Sequence, residues 1–262
     1  MVCKMFQVDA FTDKPFAGNP AAVCILTEMR DADWMQKVAQ EMNLAETAFL
    51  LKQENGFNLR WFTPTIEVDL CGHATLASAH VLWEAAYLKP DQPARFSTRS
   101  VLLTCELKCA RIEMDFPAEP EEKTSPPPGL EMALGITARY VGKNRFDYLV
   151  EVDSEDTVRK LKPNFGLLGE IPTRGFIVTS RATSPGYDFV SRFFAPRAGI
   201  PEDPVTGSAH CCLGPFWKTR LHKDEFVAYQ ASARGGVVRV RLGGNRVYLG
   251  GQAVTVLRGE LV

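Results

Sequence analysis

The sequence predicts an α+β protein made of two similar lobes, and three observations predict it. Arg60-Trp61-Phe62-Thr63-Pro64 is echoed by Arg192-Phe193-Phe194-Ala195-Pro196. Each copy leads through a loop to a Gly-x-Ala start, Gly72-His73-Ala74 and Gly207-Ser208-Ala209. Each start opens a small-residue stretch with one tryptophan, Trp83 or Trp217. Strand-rich segments follow both copies, and helix-like stretches precede them at 33–42 and 154–161. Five elements in one order point to an internal duplication, and two like lobes imply a cleft between them.

Taken in chain order, residues 4–10 and 21–27 are apolar runs separated by Asp13, Pro15, Gly18, Asn19 and Pro20. They read as strand, turn-rich loop and strand, the loop being a candidate binding element. The spacing of Trp34, Val38 and Met42 predicts an amphipathic helix, capped by Asp31 or Asp33 and ended by Asn43. Residues 46–51 turn strand-like, and 56–62 form another strand stopped by Pro64. The alanine-rich run 74–87 predicts a buried helix whose small residues let it sit inside a sheet. Residues 95–116 alternate as strands. The Glu-Glu-Lys and triple proline within 118–129 have linker composition. They divide the chain into an N-terminal lobe, 1–117, and a C-terminal lobe, 118–262, whose last strand can cross back to the first.

Composition narrows the partners. With 262 residues the chain can bury the core of one large or two small domains. Charged residues make up 23% and the formal net charge is -1, so no basic field holds nucleic acid or an anionic membrane. A small molecule is the expected partner. Lys4 and Asp9 interrupt the apolar core a signal peptide needs, and no later run reaches about 18 apolar residues; a cytoplasmic protein is expected. Seven cysteines without a CxxC pair read as buried, reduced thiols. His73, His80, His210 and His222 form no HExxH or Cys-His cluster, so no metal is expected. Gly243-Gly244-Asn245 and Gly250-Gly251 make no phosphate-binding loop and fit hairpin turns.

The two small-residue helices begin at Gly72 and Gly207, where free N–H groups and the positive dipole end suit a carboxylate. Other polar groups cluster nearby in sequence, each with a plain reading beside a functional one. Glu46 can be a solvated carboxylate at a helix-to-strand turn, His73 a helix-start residue satisfied by a carbonyl, Asp203 a turn residue before Pro204, and Ser208 a helix N-cap. His210 reads as packing or a surface hydrogen bond.

Gly18-Asn19-Pro20, Asn43-Leu44-Ala45-Glu46-Thr47, Arg60-Trp61-Phe62-Thr63-Pro64, Cys71-Gly72-His73-Ala74-Thr75, the run from Glu202 to Ala209, and Ser232-Ala233-Arg234-Gly235-Gly236 together resemble the motif set of the PhzF (phenazine biosynthesis-like) family. The resemblance covers nearly the whole chain. It implies a diaminopimelate epimerase-like fold: two pseudo-symmetric lobes, each a curled, mostly antiparallel sheet around a central helix, with the active site between them. It further implies Glu46 as general acid/base, with His73 and Asp203 catalytic beside it. Asn19, Gly72, Ala74, Gly207 and Ser208 become substrate-binding residues. No cofactor is implied, and relatives are homodimers. Glu46 begins an apolar strand in phase with Ala48 and Leu50, and partial burial there would raise its pKa into the range of a group that takes and returns a proton.

The expected activity is therefore a cofactor-independent isomerase moving a proton within a small carboxylic acid. Two alternatives remain, a cysteine-type amino-acid racemase and a non-catalytic binding protein on the same scaffold. Racemases of this fold oppose two thiols. Here the second loop offers Glu202 and Asp203, with no cysteine until Cys211, so Cys71 reads as structural. Where many family members carry a Ser-Gly pair after the first helix, this chain has Thr98-Arg99-Ser100-Val101, and substrate contacts from that strand are not carried over.

Overall fold

The computed structural model describes residues 3–100 and 102–262. It divides into two compact units, Met1–Phe116 with Gly250–Val262, and Pro117–Leu249.

Unit 1 contains β1 (Cys3–Ala10), β2 (Asn19–Leu26), α1 (Ala32–Met42), β3 (Glu46–Gln53), β4 (Gly56–Phe62), β5 (Glu67–Val68), α2 (Gly72–Glu84), β6 (Ala94–Ser97), β7 (Leu102–Lys108) and β8 (Arg111–Pro117). The last strand of the chain, Ala253–Leu261, pairs antiparallel with β1. From β1 the sheet continues antiparallel to β2, parallel to β3, antiparallel to β4, parallel to β6, and antiparallel to β7 and then β8. The two parallel steps are the ones bridged by helices, because a parallel neighbour needs a crossover.

Helix α1 forms as its sequence predicts. The Asp31 carboxylate accepts the Trp34 N–H at 2.7 Å, and Asn43 ends the helix in the left-handed region at φ 48. Its buried face, Met35, Val38 and Ala39, packs on Met5, Cys24, Leu26, Phe49 and Phe62, the residues of one parity on β1–β4. Helix α2 lies against β1, β2 and β3 and buries every residue from His73 to Ala79. Only small side chains allow that. Its two hydroxyls are satisfied inside the helix, Thr75 donating to the Cys71 carbonyl and Ser78 to that of Ala74.

One expectation is corrected in this unit. Cys3 and Cys24 form a disulfide and are not reduced thiols. Met5 pairs with Cys24, so Cys3 sits two residues away on the same face of the β1–β2 ladder, 6.6 Å from Cys24 between Cα atoms. A separation of 21 residues gives no spacing signal for such a diagonal neighbour.

Unit 2 contains β9 (Glu122–Lys123), α3 (Leu130–Leu134), β10 (Tyr140–Lys143), β11 (Asp147–Glu151), α4 (Glu155–Lys160), α5 (Phe165–Glu170), β12 (Gly175–Arg181), β13 (Phe189–Ala195), β14 (Ile200–Asp203), α6 (Gly207–Leu221), β15 (Glu225–Gln230), β16 (Gly236–Gly243) and β17 (Arg246–Gly251). The stretch with linker composition is partly sheet, since β9 pairs with β10. Strand β11 runs parallel to β12, which is antiparallel to β13, which is parallel to β15, which is antiparallel to β16. This is the β2-β3-β4-β6-β7 order of unit 1, so the repeat legible in the sequence is a repeat of pairings.

The repeat extends to single residues. Arg60 on β4 grips Glu67 on β5 through Nε and Nη2 at 2.7 and 2.9 Å, and Arg192 on β13 grips Glu202 on β14 at 2.7 and 2.8 Å. Arg60 opposes Phe49 and Arg192 opposes Val178. Counting three residues back from each, Glu46 at the start of β3 corresponds to Gly175 at the start of β12. The backbone at Gly175 leaves no room for a Cβ against the ring of Phe193.

Helix α6 carries Pro215 in its interior, which removes one helical N–H. The Cys211 carbonyl thereby freed accepts the Glu119 N–H at 3.1 Å. Helix α4 is capped by Ser154, whose hydroxyl accepts the Thr157 N–H. Glu155 is buried and accepts from the N–H and hydroxyl groups of Thr183 and Ser184 and from Arg159 Nε. Burial alone would raise its pKa, but these bonds hold it down to about 2. Its stabilisation is therefore present above the ordinary carboxylate value of 4.5 and lost as pH falls through about 2. Glu155→Gln should lower unfolding free energy by about 2 kcal/mol at pH 7. Urea denaturation at pH 7 and in strong acid checks this, because the gap between variant and wild type must narrow in acid.

Candidate active site

Unit 1 gathers four of its polar side chains at the opening of α2. Gly18 is the residue that permits this: at φ +65 its backbone crosses the Ala10 carbonyl with no space for a Cβ, and Asn19 follows as the first residue of β2. β2 and β3 run parallel with Ala21 opposite Glu46, so Asn19 and Glu46 project from neighbouring strand starts. Between them comes His73, the second residue of α2.

The imidazole is 4% exposed and is contacted on both nitrogens. Glu46 Oε2 lies 3.1 Å from His73 Nε2, an ion-pair distance, and neither atom makes a hydrogen bond among the described residues. Asn19 Nδ2 lies 3.1 Å from His73 Nδ1, and Cys71 Sγ lies 3.6 Å from the same nitrogen. Burial pulls the His73 pKa down, but Cys71 and Glu46 pull it further up, and the net direction is well above the ordinary imidazole value. Burial pushes the Cys71 thiol the other way from reactivity, raising its pKa. Cys71 is thus a buried thiol in contact with His73.

Glu46, Cys71 and His73 place one donor atom each within 4.8 Å of one another. These are donor types that can meet a metal ion, and they form a Cys-His cluster that the sequence spacing did not show.

Unit 2 builds a second polar cluster at the opening of α6. Asp203, the last residue of β14, accepts from the Thr206 hydroxyl. Gln230, wholly buried at the end of β15, receives the Thr206 N–H on Oε1 at 2.9 Å and donates through Nε2 to the Asp203 carbonyl at 2.8 Å. Ser232 donates to the Pro204 carbonyl and receives the Gly235 N–H. The helix N-cap is Thr206 and not Ser208, although neither α2 nor α6 has a side-chain cap bond. Ser208 instead accepts from Arg174 Nη2 at 3.1 Å, and Arg174 is clamped through Nε at 2.8 Å and Nη2 by the buried carboxylate of Asp147. His210 is a packing residue: its Nδ1–H donates to the Thr206 carbonyl at 2.8 Å, and burial lowers its pKa to about 4.

Asn19, Glu46 and His73 are thus brought together by unit 1, with Gly72 half-buried and Ala74 wholly buried beside them. Asp203, Gly207 and Ser208 are brought together by unit 2. Arg99 and Ser100 are exposed and tie their loop to the segment around β5, Arg99 donating to Glu67 at 2.6 Å and Ser100 to the Asp69 carbonyl at 2.8 Å. Val101 lies outside the described residues. Sequence reasoning missed Gln230, Asp147 and Arg174. Gln230 sits two residues before the Ser232 motif, a proximity that was the available signal.

The duplicated α+β architecture is a diaminopimelate epimerase-like fold. In fold alone the chain is similar to a hydroxyproline epimerase from Agrobacterium vitis, with a TM-score of 0.63 at 12% identity over 99% of this chain and 92% of that one. The family described as phenazine biosynthesis-like protein matches residues 8–259. This chain belongs to that family, the PhzF family. It is 40% identical to a PhzF-family protein of Enterococcus faecalis whose crystal structure superimposes with a TM-score of 0.95 over 100% of both chains. An uncharacterized isomerase of Halalkalibacterium halodurans is 58% identical over 100% of this chain and 99% of its own length. The mouse phenazine biosynthesis-like domain-containing protein 1 is 41% identical, again over 100% and 99%.

The raised pKa of His73 carries a stability consequence with a definite sign. A proton held more tightly in the folded state stabilises it fully below the unfolded imidazole value of 6.5, and that stabilisation disappears as pH rises through the higher folded value. Chemical denaturation across this range should show wild-type stability falling with pH above 6.5, and Glu46→Gln should flatten that fall. An unchanged slope in the variant would remove Glu46 as its cause.

Gln230→Leu should destabilise by about 2–4 kcal/mol, since it leaves the buried Thr206 N–H and the Asp203 carbonyl unpaired. Urea unfolding measures this directly.

Proposed function

We propose that the protein is an isomerase that shifts a proton within a small carboxylic acid, with Glu46 as the one group that takes and returns it. The observation that carries this reading is a largely buried carboxylate, 13% exposed in its side chain, within 3.1 Å of a buried imidazole at the start of a helix. That is the arrangement needed to move protons without admitting bulk water.

In the reaction, Glu46 as carboxylate removes a proton from a carbon next to a conjugated or amine-bearing group. The electron pair of that C–H bond moves into the adjacent π-system, and the double bond shifts. The protonated Glu46 then delivers its proton to another carbon of the same molecule, so atoms and charge balance with no external acid, oxidant or reductant. His73 steadies the carboxylate and the charge that develops. The carboxylate of the substrate rests on the N–H groups at the Gly72 or Gly207 helix opening. Asp203 and Ser208 are proposed as polar contacts to an amine or hydroxyl group.

The close approach of Cys71 to His73 keeps a thiol-based racemase in view as a second reading. Against it, burial raises the Cys71 pKa, and the residue preceding Gly207 in the second copy is Thr206.

Small amino and hydroxy acids incubated with the enzyme in heavy water, followed by NMR, test both readings. Enzyme-dependent exchange or shift of C–H hydrogens is expected for at least one acid, with Glu46→Gln slowing it by roughly 10²–10⁴-fold and Cys71→Ser retaining most of it. Full turnover by Glu46→Gln would exclude the proposed base. Loss in Cys71→Ser alone would establish the thiol enzyme.

A further inference from the structure

We infer that Asn19 is a positioning residue that fixes the tautomer of His73, a role distinct from touching substrate. The inference rests on the functional reading above only for its consequence, not for its geometry.

Asn19 is wholly buried, with no exposed surface for a ligand to reach. Its Nδ2 lies 3.1 Å from His73 Nδ1. With the amide in this orientation its nitrogen offers two hydrogens and no lone pair, so Nδ1 is the acceptor and carries no proton. The single proton of the neutral ring then sits on Nε2, the nitrogen 3.1 Å from Glu46 Oε2. In this tautomer the ring proton faces Glu46 Oε2 across 3.1 Å, an arrangement that suits a carboxylate there. The other neutral tautomer would turn an N–H toward the amide hydrogens of Asn19 and a bare nitrogen toward Glu46, which could bond only by keeping its own proton. Glu46 would then enter the reaction already protonated and unable to act as a base.

The titratable groups facing the ring are Glu46 from β3 and Cys71 from the turn before α2. Glu46 favours a charged ring. The Asn19 amide opposes it, because an imidazolium needs an acceptor at Nδ1, which Asn19 can supply only by rotating to present Oδ1. Asn19 and Glu46 thus pull on the same ring in opposite senses from opposite nitrogens. Cys71, at 3.6 Å, is the weaker neighbour of Nδ1.

The test is ¹⁵N NMR of imidazole-labelled, ligand-free protein, with His73 assigned by a His73→Gln control and spectra taken along its titration. On the alkaline limb, where the ring is neutral, Nδ1 should resonate as a bare nitrogen and Nε2 as a protonated one. Asn19→Asp, nearly identical in shape, presents only acceptors and should shift the His73 titration to higher pH with Nδ1 protonated. A wild-type neutral ring protonated on Nδ1, or an Asn19→Asp ring with an unmoved titration and tautomer, would overturn the inference. Should Asn19→Asp fail to fold, the wild-type spectrum decides alone. Because no substrate is present, the result is independent of the heavy-water screen, so failure of either can be told from failure of the other.

Discussion

Both units are organised around a helix that has almost no exposed face. Such a helix must pack on almost every side, must satisfy its own hydroxyls, and leaves the N–H groups of its first turn to neighbouring groups or a ligand. In α2 and α6 neither N-cap side chain supplies a cap bond, and polar groups from the adjoining strand ends lie at each opening. Asn19 and Glu46 do so from the starts of β2 and β3, and Gln230 and Asp203 from the ends of β15 and β14. The candidate site sits at such an opening, where the dipole of the buried helix favours anionic groups.

The arginine-glutamate clamps belong to the same solution. Each holds a short return strand against the strand that precedes the buried helix, and so sets the path of the loop that delivers His73 or Ser208. Arg60 to Glu67 and Arg192 to Glu202 are partly buried and bidentate, the geometry in which such pairs hold direction as well as charge. The echoed sequence motifs are the visible trace of these clamps.

Much of this was legible in the residues themselves. Asp31 and Asn43 bound a helix whose apolar spacing is plain, the strand Gly56–Phe62 is bracketed by its own turn residues, and the alanine-rich run declares a buried helix because larger side chains would not fit. The cluster of Glu46 with His73 depended on the motif resemblance, since no spacing rule brings positions 46 and 73 together. What escaped reading is what depends on register. The Cys3–Cys24 bridge is a diagonal contact across a ladder, and neither cysteine carries a motif. Gln230, Asp147 and Arg174 act through neighbours 24 to 34 positions away, and each alone looks like an ordinary polar residue at a strand end. Ser208 looked like a cap because capping residues look alike; its partner is an arginine just before β12.

The correspondence between Glu46 and Gly175 has a stereochemical meaning. An enzyme that inverts one carbon needs a donor on the side opposite its base. A duplicated scaffold could furnish that donor from its second copy, but here the matching position is a glycine closed over by the ring of Phe193. The duplication is therefore equal in architecture and unequal in chemistry. Under the proposed reading, with Glu46 as the single acid and base, hydrogen would return to the face from which it came, and chirality would be relocated along the molecule and not mirrored.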